Sequence, residues 1–140
     1  MDDLAFLHAR IESYADYTND DDRRMSDEQI RAYVGEALAG VLERLAPTGE
    51  VGETLARLLL RCQFADQTVV AALDAEQFVH TELALLHTAD RRLVELADRA
   101  GALALPDVRT LLADIDATFD ERARIIVHNR DAPPTGMPLR

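Results

Sequence analysis

Apolar residues recur at helical spacing in five stretches of the chain, and nowhere do they alternate as a half-buried strand requires. From about Asp3 to Tyr17, Leu4, Leu7, Ile11 and Tyr14 fall on one side. A polar run from Thr18 to Arg24 follows. Ser26 reads as the N-cap of a second helix, with Asp27 and Glu28 in a first turn where the helix dipole favours carboxylates. Its stripe is Ile30, Val34, Ala37, Leu38, Val41 and Leu45, and Pro47 with Gly49 ends it. A third helix is predicted over about 50–72, burying Val51, Leu55, Leu58, Leu59, Cys62 and Val69, with Leu73 just beyond. Asp74 reads as the N-cap of a fourth, with Gln77 three residues on, and Gly101 closes that helix near Ala100. Its inward residues are Phe78, Leu85, Leu86, Ala89, Leu93, Leu96 and Ala97. Pro106 opens the fifth, whose face is Val108, Leu111, Leu112, Ile115, Phe119, Ala123 and Ile126.

These stretches predict an all-α fold, an up-and-down bundle of four to five helices filling one domain over residues 1–130. Residues 131–140 hold three prolines and read as a flexible tail. Short connections make helices three to five an up-down-up unit, with the first two docked on it or on a second copy.

Three charged residues interrupt the apolar arcs. At 100° per residue, Asp66 falls among Leu59, Cys62, Val69 and Val70, and Glu82 among Phe78, Leu85, Leu86 and Ala89. Each lies eight residues from Asp74, so a hairpin turning there brings the two acids to one level. Arg122 sits among Ile115, Phe119, Ala123 and Ile126 about one turn away. Unpaired charges cost several kcal/mol each when buried, so Asp66 and Glu82 are expected to hold Arg122 in one largely buried cluster. Such a cluster serves either to fix helix register or to present an arginine to an anion.

Charge narrows the partners. The formal net charge is −11 and every one of the 15 basic residues is arginine. Such a surface repels nucleic acid at long range and suits a basic protein partner, as in an immunity protein, antitoxin or regulatory subunit. No basic leader precedes the first apolar run and no apolar stretch is long enough to span a bilayer. With a lone Cys62 there is no internal disulfide, so a cytoplasmic, non-membrane protein is expected. Small residues in the second helix (Ala37, Ala39, Gly40) and apolar stripes beyond what three helices cover point to a homodimer.

The last helix ends Glu121-Arg122-Ala123-Arg124-Ile125-Ile126-Val127-His128-Asn129-Arg130. An arginine, an apolar stretch and a Val-His pair near the end of a helical bundle resemble the HEPN superfamily, over about residues 50–130. The resemblance implies a metal-independent ribonuclease working as a dimer, or an inactive binding module of the same fold. Arg122 and His128 then match the family's Arg-x5-His, and Asp66 or Glu82 its arginine-holding acid. Arginine clamps a phosphate, and histidine exchanges protons with the 2′-OH or the leaving oxygen. The family's usual polar residue after the arginine is here Ala123.

No metal or cofactor is expected. His80 and His87 share a face seven residues apart, but no Glu-x-x-His pairs occur on facing helices. Glu50-x-x-Glu53 and Glu95-x-x-Asp98 resemble the carboxylate pairs of all-helical nucleotide pyrophosphohydrolases, yet Glu53, Glu95 and Asp98 turn away from the apolar side.

Overall fold

The structure, a computed structural model, describes residues 2–75 and 78–131, with only the backbone of residues 20 and 128–131. Its elements are α1 (Asp3–Arg10), α2 (Asp20–Leu45), α3 (Gly49–Gln63), α4 (Gln67–Ala75), α5 (His80–Ala100) and α6 (Leu105–Asp131). The expected all-α bundle is present, and among the described residues there is no strand. No helix among them is long and apolar enough to cross a membrane.

Side-chain pairs set the directions. Tyr33 bonds Asp98, and Arg44 bonds the carbonyls of Ala100 and Leu103, so α2 and α5 run parallel. Arg92 meets Thr118 and Arg122 meets Asp90, so α5 and α6 are antiparallel. Arg109 pairs with Glu50 while Arg61 pairs with Asp116 and Asp120, so α3 and α6 are parallel. The result is a four-helix up-down-up-down bundle of α2, α3, α5 and α6. Helix α1 lies along α5, tied by Asp3 to Thr88 and Arg91. Helix α4 packs on α2 and α6.

The core is aliphatic and continuous, with Leu7, Ile30, Val34, Leu38, Leu55, Leu58, Leu73, Leu86, Leu93 and Ile115 all fully buried. Cys62 belongs to it, and burial pushes its thiol up to about 11, as suits an inert core cysteine. Gly35 lies against Cys62, where an added Cβ would meet the cysteine's Cβ at 3.0 Å, so glycine allows α2 and α3 to close.

Several predicted boundaries move. Helix α1 stops at Arg10, so Tyr14 and Tyr17 lie in the α1–α2 linker. Helix α2 starts six residues before Ser26, because the Asn19 side chain accepts from the Asp22 N–H and serves as the N-cap. The predicted third helix is split at 64–66, and Asp74 lies inside α4 rather than capping α5. Gly101 does follow α5, and α6 begins beside Pro106 as expected.

Candidate functional site

Arg122 is the polar centre of the bundle. Only 3% of it is exposed, and each of its three nitrogens has a partner. Nε donates to Asp90 Oδ1 at 2.7 Å, Nη1 to Asp27 Oδ1 at 2.8 Å and Nη2 to the Tyr17 hydroxyl at 2.8 Å. The Asp90 side chain is fully buried. Its Oδ2 accepts from the hydroxyls of Tyr14 at 2.6 Å and Tyr17 at 2.5 Å. The second oxygen of Asp27 accepts from Arg31 Nε at 2.9 Å, and Arg31 Nη1 reaches the Cys62 carbonyl at 3.0 Å. Two carboxylates thus face two guanidiniums, and all four carboxylate oxygens are bonded. Such a closed network rigidifies a core, whereas a half-satisfied one would cost several kcal/mol.

Local sequence explains how the linker delivers its tyrosines. Asp16 and Tyr17 are consecutive left-handed residues, with φ of 68° and 62°. That conformation costs on the order of 1–3 kcal/mol per residue and turns the chain back towards the core. The Tyr17 N–H donates to Ser26 Oγ at 3.0 Å, and Ser26 Oγ donates to the Asp22 carbonyl. Ser26 therefore anchors the linker from inside α2 instead of starting the helix. The rings of Tyr14, Tyr17, His87 and Phe78 pack edge-on or tilted against one another, at centroid separations of 6.0–6.5 Å.

Ionisation follows this geometry. Burial pushes both tyrosine hydroxyls far above their ordinary value; the Asp90 charge adds to it, and the Arg122 charge partly opposes it, more so for Tyr17. Burial also works against an ionised Asp27, but the charges and hydrogen bonds of Arg122 and Arg31 outweigh it and leave that carboxyl below its usual range.

The expected acid partners of Arg122 lie elsewhere. Asp66 is exposed, and its Oδ1 accepts from the N–H groups of Thr68 and Val69 at the start of α4. It stands at the rim of a cleft of about 30 Å³ that reaches Arg122 between Arg31, Arg61 and Phe119. Glu82 is half-buried in the first turn of α5, where its carboxylate accepts from the Val79 N–H at 3.3 Å. The wheel placed both inward because it assumed unbroken helices. Breaks at 64–66 and before His80 turn both residues into helix-start acids.

Asp90 was legible and missed: on α5 it lies between Leu86, Leu93, Val94 and Ala97, all buried. Asp27 was hidden by the misplaced start of α2. Nothing in the local sequence announces that Tyr17 turns inward.

His128 lies in the last turn of α6, and its side chain is outside the described residues. Glu53 and Asp98 are exposed, as expected, with Asp98 held at the surface by Arg10 and Tyr33. No three metal-ligating side chains cluster among the described residues.

No known protein family, curated protein or solved structure matches the chain.

Proposed function

We propose that this chain is a non-catalytic acidic interaction module that binds a basic protein partner, built on a HEPN-like bundle. The observation that carries this reading is the burial of Arg122. An arginine that clamps a scissile phosphate needs free N–H groups facing solvent. Here its nitrogens are committed to Asp27, Asp90 and Tyr17, and the cleft leading to them has room for about a water molecule rather than a nucleotide. The motif arginine thus serves the fold. A net charge of −11 leaves the surface suited to steering a cationic partner.

Affinity purification from the native host, followed by mass spectrometry and a ribonuclease assay, tests this. The expected outcome is a stoichiometric basic protein and no cleavage. Cleavage that disappears in both Arg122→Lys and His128→Ala would overturn the reading in favour of a HEPN-type ribonuclease. A homodimer belongs to the same proposal. Its contact is assigned to the outer face of α2, where Ala39 and Gly40 are exposed and Gly40 has open space above it. Light scattering of Gly40→Arg against wild type checks it, since a bulky charge there should leave monomer.

A further inference from the structure

The chain ahead of α2 is held in two separate places. Helix α1 packs on α5 with Leu7 fully buried, Asp3 on Thr88 and Arg91, and Arg10 on Asp98. The same docked unit ends with the Tyr14 hydroxyl on Asp90 and the Ala15 N–H on Gln29 Oε1 at 3.0 Å. Tyr17 is seated by other groups, Ser26 and Arg122. Asp16 joins the two anchorages, and its conformation is unfavourable twice over. Its φ of 68° is left-handed. Its Oδ1 is buried with no hydrogen-bond partner among the described residues, while Oδ2 lies 3.3 Å from His8 Nε2. Rotation of Asp16 to extended backbone removes the first cost, and release of its carboxylate into water removes the second.

We infer that two copies of the chain can exchange residues 2–15, each laying α1 and Tyr14 on the other's α5 through an extended Asp16. In such an exchange every contact of the docked unit recurs between copies, so the balance is set by the hinge and by concentration. A closed monomer keeps the costly hinge, and a two-fold dimer sheds it in both chains. The buried network is then completed in trans, with Asp90 of one protomer accepting from the Tyr14 hydroxyl of its partner. This dimer is distinct from the α2 contact proposed above. Leu7 and Tyr14 must leave the core before exchange, so it is slow in folded protein and is set during refolding.

Refolding from urea over a range of protein concentrations, followed by size-exclusion chromatography with light scattering, tests it. A dimer that grows with concentration and reverts slowly on dilution is expected. Asp3→Cys with Thr88→Cys, joined by a short bismaleimide, reads the connectivity, because Cys62 is buried and its thiol inert. On a denaturing gel the dimer should be linked chain to chain and the monomer within its own chain. Asp16→Gly has no left-handed penalty and no carboxylate, so it should weaken the refolded dimer on the order of tenfold. Gly40→Arg, which blocks the α2 contact, should leave that dimer intact.

Absence of dimer after refolding at every concentration, or a dimer linked only within its own chains, would overturn the exchange. So would an Asp16→Gly variant that dimerises as wild type does. Loss of the refolded dimer in Gly40→Arg would also overturn it and assign that dimer to the α2 face.

Discussion

Arg122 Nε and Asp90 Oδ1 are 2.7 Å apart across the α5–α6 contact, and 4% and 0% of their side chains reach solvent. An ion pair so enclosed depends on the rest of its network. Asp27 and Tyr17 take the other nitrogens of the guanidinium, and Tyr14 with Tyr17 saturates the other oxygen of Asp90.

Removal of the cation should therefore be severe. Arg122→Ala leaves two buried carboxylates without their shared partner and is expected to destabilise the fold by about 3–5 kcal/mol. Urea denaturation followed by circular dichroism measures it. A loss under about 1 kcal/mol, the scale of an exposed pair, would contradict the buried network.

The two tyrosine hydroxyls should be unequal. Each donates to Asp90, but the Tyr17 oxygen also accepts from Arg122 Nη2. Tyr17→Phe should cost about 3 kcal/mol and Tyr14→Phe about 1.5 kcal/mol, the two ends of the range for hydrogen bonds to charged groups. Chemical denaturation of the two variants side by side reads the order, and a reversal would show that Tyr14 is the stronger link.

Acid sensitivity should depend on Asp27. Its folded pKa is depressed, so its contribution to stability is present above the unfolded value and is lost as pH falls through the folded one. The gap in unfolding free energy between wild type and Asp27→Asn should be widest near neutrality and shrink below about pH 4. A gap independent of pH would show that Asp27 does not ionise differently on folding.

At alkaline pH the sign reverses. The pKa values of Tyr14 and Tyr17 are raised, so their contribution is complete below the unfolded tyrosine value, about 10, and is lost as pH climbs beyond it. Tyr33, the remaining tyrosine, is pushed up to about 12 by burial and by its hydrogen bond to Asp98. Phenolate absorbance should show Tyr33 as the only tyrosine to ionise while the helical signal persists. The other two should ionise only as that signal collapses.

A surface change should stabilise. Ala46 ends α2 in the left-handed conformation, with φ of 42° and ψ of 53°, and is exposed. Ala46→Gly removes the Cβ penalty at that position and should add about 1 kcal/mol. A thermal melt that moves down instead would mean that the entropy glycine adds to the unfolded chain outweighs the relief.

Helical content, the stops at Pro47 and Gly101, the start beside Pro106 and the inward place of Arg122 were all legible in the sequence. These depend on local preferences and on a period of 3.6, which a single helix displays by itself. The partners of Arg122 are another matter. A wheel ranks residues by angle only while the helix is unbroken, so the breaks at 64–66 and before His80 carried Asp66 and Glu82 out to helix starts. Asp90 lies on the same stripe as Leu86 and Leu93, and the pattern alone already marked it as buried. Asp27 and the two linker tyrosines reach the site because α2 begins at Asp20 and the backbone turns left-handed at Asp16 and Tyr17. That turn is held by Ser26 and by the buried charges it serves, contacts between segments that no local window contains. The sequence by itself therefore determined that an arginine would be buried here, since its neighbours on α6 are apolar. Which carboxylates neutralise it was decided only when three helices and a linker closed around one point, because a buried charge takes whatever partner the packing brings within hydrogen-bond reach.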